Sequence, residues 1–231
     1  MKKFSIVSSF LVASFIIFSG FVTSIDNNKG KPFKALITYD ITYSGDIDAA
    51  TLASQPKDMI VKILGNKSRQ EVSGSYIIID GDTKTSYVLI DIMDKKYALK
   101  TTKEDIDKEL NEGKVPVIKY IDGETKEIAG YLCKKAEFIE TDEDSGEEII
   151  TTVFYTDAFG SEDLNFGGQF HGLKGWPMEY ELTMYDDDIT IKYTARLVDT
   201  KAKISDADFL IPEDYQITTR EKLLEIFGGM E

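Results

Sequence analysis

Alternation of apolar and polar residues runs through most of this chain, and a period of two leaves little for it to form except a sheet. In Phe33–Tyr43, the side chains of Phe33, Ala35, Ile37, Tyr39, Ile41 and Tyr43 share one face, and Leu36 breaks an otherwise polar opposite face. Met178, Tyr180, Leu182 and Met184 oppose Glu179, Glu181 and Thr183; Ile189, Ile191, Tyr193, Ala195 and Leu197 oppose Thr190, Lys192, Thr194 and Arg196. One greasy face and one wet face is the mark of antiparallel strands. Turn residues separate the runs: Gly65-Asn66, Asp80-Gly81-Asp82, Asp122-Gly123, Glu143-Asp144-Ser145-Gly146 and Asp186-Asp187-Asp188. Such turns between alternating runs signal hairpins. About ten strands result: 33–43, 59–64, 67–72, 76–79, 85–91, 117–121, 126–140, 148–156, 178–184 and 189–197.

Helical segments are few. Lys103–Asn111 is polar with Ile106 and Leu110 one turn apart, and Gly113 can stop it. Thr218-Thr219-Arg220-Glu221 reads as a capping box ahead of Leu223, Leu224, Ile226 and Phe227. A short helix fits near Asp48–Ser54. Asp157–Trp176, with five glycines, reads as a long loop, a length often tied to function. No repeat or Pro/Ser-rich linker divides the chain. The expected class is therefore α+β, mainly antiparallel β.

The N-terminus is set apart. Lys2 and Lys3 precede an apolar run from Phe4 to Val22, and Val22-Thr23-Ser24 supplies a small-residue exit. This is the pattern of a signal peptide, with cleavage expected after Ser24. Residues 1–24 are then leader and 25–231 a single exported domain. No Cys follows the apolar run, so N-terminal lipidation is not expected, and no second run is long enough for a membrane span. Removing Lys2 and Lys3 from the 27 basic residues leaves 25 against 41 acids, a mature charge of −16. Such a chain repels phosphate backbones, which excludes nucleic acid as a partner. A soluble periplasmic or secreted protein is expected; the sequence leaves its oligomeric state open.

Counting narrows the chemistry. Cys133 is the single Cys and His171 the single His. An intrachain disulfide and the usual zinc ligand sets are thereby impossible. A Cys133–His171 nucleophile pair stays formally open beside the plainer reading of a buried apolar thiol. Dinucleotide, P-loop and nucleophile-elbow motifs are absent. The acidic clusters Asp142–Glu148 and Asp186–Asp188 fall in turns and lack the calcium-loop frame. Asn66-Lys67-Ser68 is a formal glycosylation sequon. Neither a metal nor any other cofactor is expected.

Several segments together resemble an exported Bacteroidetes family of the LolA/LppX-like lipoprotein-carrier superfamily, and more distantly the GLPGLI family. They are Ile128-Ala129-Gly130-Tyr131-Leu132-Cys133-Lys134-Lys135-Ala136, Phe154-Tyr155-Thr156-Asp157, Leu173-Lys174-Gly175-Trp176-Pro177-Met178 and Asp208-Phe209-Leu210-Ile211-Pro212-Glu213-Asp214-Tyr215. Ile63-Leu64-Gly65-Asn66-Lys67-Ser68-Arg69-Gln70-Glu71 fits a family hairpin, with Leu64 where a Lys stands in the pattern. The resemblance implies a large bent half-barrel sheet with two or three helices on its concave side, and no catalytic residue.

Twelve Tyr and thirteen Phe bear on the same question. Core packing absorbs much of such content. A broad sheet with scarce helices, however, exposes more apolar surface than they hide, and must close, pair or hold a guest. The first expectation is a periplasmic, non-catalytic binding module for a hydrophobic or acyl-bearing ligand such as a lipid. Its candidate lining is Ile37, Tyr39, Ile41, Leu182, Met184, Ile191, Tyr193 and Leu197. The alternatives are an envelope protein-interaction or structural domain, and a carboxylate-dependent hydrolase, which needs two converging acids with one raised pKa.

Overall fold

The computed structural model describes residues 32–228 except 93, 113–114, 143–145 and 185–188. The leader, the Asp186–Asp188 turn and Gly113 as a helix stop lie outside the described residues, as does part of the Asp142–Glu148 cluster.

Twelve strands form one open sheet: β1 (Lys34–Ser44), β2 (Asp58–Leu64), β3 (Lys67–Val72), β4 (Ser75–Asp80), β5 (Thr85–Ile92), β6 (Lys95–Thr102), β7 (Val117–Ile128), β8 (Tyr131–Thr141), β9 (Glu148–Thr156), β10 (Trp176–Met184), β11 (Ile189–Asp199) and β12 (Gln216–Thr218). Their spatial order is β12-β6-β5-β4-β3-β2-β1-β11-β10-β9-β8-β7. Two antiparallel meanders, β1–β6 and β7–β11, thus meet where β1 pairs with β11, and β12 adds in parallel to β6. The mainly antiparallel β class with few helices stands as expected.

Two strands exceed the ten expected, for physical reasons. In β6, Tyr97 and Ala98 are adjacent yet both buried, so no alternation marks the strand. β12 is too short to show a period. One turn is corrected. Asp122-Gly123 does not end a strand; β7 runs on through a register shift between Ile121 and Thr125. The hairpin to β8 is made by Ala129 and Gly130, both left-handed at φ 50° and 82°.

The helices form where expected but bury little. In α1 (Ala49–Ser54), Asp48 accepts from the Ala50 and Thr51 N–H groups at 2.9 and 3.1 Å. α2 (Lys103–Asn111) starts with a Thr102–Asp105 capping box and buries Ile106. In α3 (Arg220–Gly228), the Thr219 hydroxyl accepts from Lys222 N–H at 3.4 Å.

Much of the sheet's cover is irregular chain. On one face lies the loop 157–175, with Phe159, Leu164, Phe166, Phe170 and Leu173 buried. Phe159 and Leu164 join Ile37, Tyr39, Val61, Trp176 and Met178 in one cluster. Phe170 and Leu173 join Ala136, Phe138, Val153 and Tyr180 in another. The loop is fixed by polar contacts: the Asn165 amide donates to the carbonyls of Leu173 (3.2 Å) and Gly175 (2.6 Å), and the Ser68 hydroxyl donates to that of Leu164 (3.1 Å). The strap 200–215 covers the other face over β4–β6. There Ile78, Leu89 and Ala98 pack under Phe209, Ile204, Ile211 and Tyr215, while the neighbouring Ile79 meets Phe166 of the loop.

A candidate ligand cleft on the concave face

Residues from β2, β3, β4, β5, β10 and β11 line one cleft of about 340 Å³. Strands at both ends of the run β5-β4-β3-β2-β1-β11-β10 can share a cleft only if the sheet bends, so this face is concave. The apolar lining is Met59, Val72, Ile77, Val88, Leu89, Ile90 and Leu182, with Tyr76, Tyr180 and Tyr193. The polar lining is Gln70, Ser75 and Gln169, and no lining residue is charged. A narrow extension of about 40 Å³ shares Met59, Gln70, Ile77, Gln169 and Tyr180 and ends against Tyr39, Asn165, Phe170 and Trp176.

Tyr180 sits where the two spaces meet. It is 6% exposed, its ring stacked on Tyr193 (4.7 Å, 16°) and edge-on to Phe170 (4.7 Å, 67°). Burial pushes its phenol pKa well up and also raises that of Tyr193, so both are neutral at physiological pH. Among the described residues, neither hydroxyl has a hydrogen-bond partner, nor has the side-chain amide of Gln70 or Gln169.

The residues expected from sequence scatter. Leu182 and Tyr193 line the cleft. Tyr39 closes the floor of its extension, donating to Pro177 O at 2.6 Å and accepting from Trp176 Nε1–H at 2.7 Å. Ile37 and Ile41, 0% and 5% exposed, are packed inside the protein, and Ile191 is half-buried beside that core. Met184 ends β10, paired with Ile189. Leu197 is a correction. A bulge at Thr38/Tyr39 shifts the register, setting Leu197 opposite Thr38 while Ala195 faces Tyr39. Leu197 therefore leaves the face it was assigned and is 54% exposed.

Sequence reasoning missed Val72, Ile77, Val88, Ile90 and Tyr180. The last shares the alternating face of Leu182 and was readable there. The other four face β10 only through the long-range β1–β11 pairing, which no local pattern encodes.

Other groups serve structure. Cys133 is fully buried, and desolvation pushes its thiol up to about 12, so it is no thiolate nucleophile. His171 is not its partner: its Nδ1 accepts from Gly167 N–H at 3.2 Å, its ring sits edge-on to Phe166, and burial lowers its pKa. Glu179 is 7% exposed; its burial is outweighed by Lys126 (2.6 Å), Lys192 (3.4 Å) and Thr194 (3.1 Å), which hold its pKa down. Asp48, Asp208, Asp214 and Glu221 are likewise shifted down, by hydrogen bonds. These shifts run opposite to the raised carboxyl that a hydrolase of paired acids requires. Among the described residues, no three metal-ligating side chains converge. A second groove of about 340 Å³, between β6, α2 and the start of α3, is lined by Lys100, Asp105, Lys108, Glu109, Arg220 and Glu221 and suits water better than a greasy guest. Among the described residues, no helix is long and apolar enough to cross a membrane.

A concave antiparallel sheet with an uncharged apolar cleft is thus the class that fold and site define. No family model and no curated protein matches the chain. Solved structures do match it. It is similar to PNGF-II in a C2 crystal form (15% identity, TM-score 0.51) and in a P21 form (14%, 0.53), over 84% of this chain in each case. It spans only 32% and 33% of those chains, about a third of their length. At such identity the likeness shows the fold alone. A putative outer membrane lipoprotein-sorting protein domain from Vibrio parahaemolyticus also matches, covering 77% of this chain and 89% of its own, at 10% identity and a TM-score of 0.24. That overlap is too loose to bear on function.

Proposed function

We propose that the chain is an exported, non-catalytic binding module of the periplasm or extracellular space that holds a hydrophobic or acyl-bearing ligand on the concave face of its sheet. The observation that carries this reading is the cleft of about 340 Å³ lined by uncharged, mainly apolar side chains from both meanders. Ligand sites generally span about 300–1,000 Å³. Each buried CH₂ contributes about 0.8 kcal/mol, so ten give about 8 kcal/mol gross. That bounds the dissociation constant near micromolar, before the cost of ordering the chain. The motif resemblance to lipoprotein carriers points the same way.

Displacement of Nile red from the purified protein by medium-chain lipids tests the reading, with Val88→Trp as control. Val88 is 37% exposed at the cleft wall, and an indole there fills the space without touching the core. Dye binding should be saturable and should fall at least about tenfold in Val88→Trp. Equal binding by both proteins would overturn the cleft as the site. The alternative of an envelope protein-interaction domain draws on one observation: Val117, Ile139 and Ile150 lie cross-strand near the free β7 edge, with Val117 67% and Ile150 52% exposed. Protein that neither binds dye nor carries lipid from its host would favour that reading.

A further inference from the structure

The cleft offers no charge to a ligand, although 29% of the residues in this chain are Asp, Glu, Lys or Arg. What it offers instead is a set of neutral hydrogen-bonding groups: three phenols, two primary amides and the Ser75 hydroxyl. Tyr180 is the most telling of these. Tyr180 is 94% out of solvent as a residue, yet its hydroxyl is not among the buried polar atoms left without a partner, so the oxygen opens onto the cleft. Among the described residues no side chain engages that hydroxyl, and the ring is held in place by Phe170 and Tyr193. Its neighbour across the space, Gln70, is half-buried with an amide in the same condition.

We propose that the cleft selects neutral amphiphiles, an apolar chain or ring bearing a carbonyl or amide group, and rejects carboxylates and phosphates. Tyr180 and Gln70 are the groups that read the polar end of the ligand. This deepens the binding-module reading above and rests on it. The physical case has two sides. A carbonyl oxygen accepts from the Tyr180 hydroxyl or the Gln70 amide in place of solvent, so a neutral polar end keeps its hydrogen bonds on entering the cleft. An anion would lose its hydration with no lysine or arginine in the lining to replace it, inside a protein whose net charge is −14.

The test compares n-decanamide with n-decanoate, equal in chain length, as competitors of the uncharged dye Nile red at pH 7. The purified protein and its Tyr180→Phe variant are used; the variant keeps the ring contacts and loses only the hydroxyl. Decanamide is expected to displace the dye at least about tenfold more tightly than decanoate. In Tyr180→Phe, whose Nile red affinity is measured directly and used to correct the displacement constants, decanamide should weaken about three- to tenfold. Decanoate binding as well as the amide, or an unaltered decanamide affinity in the variant, overturns neutral selection while leaving an apolar site standing. Failure of the dye and of both competitors to bind removes the site itself and this inference with it.

Discussion

Replacing Tyr39 with Phe separates a structural role from a ligand-contacting one. The hydroxyl joins two chain segments: it accepts from Trp176 Nε1–H at 2.7 Å and donates to Pro177 O at 2.6 Å. Tyr39 is 0% exposed and Trp176 1%, so no solvent replaces what is lost. Burial drives the Tyr39 phenol pKa far up, so it stays neutral and can serve as donor and acceptor at once. Deleting the oxygen leaves one donor and one acceptor buried without partners, each costing about 1–3 kcal/mol. About 2–4 kcal/mol is expected, a large share of the roughly 5–15 kcal/mol typical of folded domains. For a domain of this size that lowers Tm by about 5–15 °C. Urea unfolding followed by far-UV circular dichroism, a probe that survives loss of the single tryptophan, reads the loss, and a cycle with Trp176→Phe isolates the pair, with a coupling of at least about 1 kcal/mol expected. A loss under 1 kcal/mol with zero coupling would refute the argument. An unchanged stability with weakened dye binding would instead make Tyr39 a ligand contact.

Three other changes follow from the geometry. Glu179→Gln removes the carboxylate shared by Lys126 and Lys192 and should cost about 1–3 kcal/mol at neutral pH. Because the folded-state carboxyl lies below its unfolded value of about 4.3, this stability is whole above that value and drains as pH falls through the folded one. Denaturation midpoints measured from pH 7 to pH 3 should therefore converge for the two proteins at the acid end, and a constant gap would contradict the assignment. Gly175→Ala places a Cβ 2.4 Å from the Thr156 carbonyl oxygen at a φ of 148°, which should cost about 3 kcal/mol and detach the loop; a near-native melting curve would show that the loop is not fixed there. Asp208→Asn breaks the ion pair with Lys62 that tethers the strap 200–215, while the neighbouring Lys67–Asp206 and Lys96–Asp214 pairs remain. Faster amide exchange around Ile204–Tyr215, with the concave face unaffected, is the expected outcome, and uniform exchange across the sheet would count against a separable strap.

What the sequence disclosed and what it hid divide along one physical line. Alternation is legible where one face of a strand is buried and the other wet, as in β1, whose Ala35, Ile37, Tyr39 and Ile41 are all buried. It vanishes in β6, where the strap covers Ala98 and the opposite face receives Tyr97. Local chemistry is also blind to strand continuation: Asp122-Gly123 has the residues of a hairpin turn, yet β8 pairs with residues on both sides of it, so it becomes a bulge. The cleft suffers most from this. Its wall is assembled by one long-range contact, β1 against β11, which carries β3–β5 opposite β10. A bulge in that same ladder turns Leu197 outward, so a lining list extrapolated along the strand goes wrong at the second residue past the break. The phase of a strand is a local property and can be counted from the sequence. The partner it faces across a bent sheet depends on pairings more than a hundred residues apart, and the ligand site is defined by that second quantity.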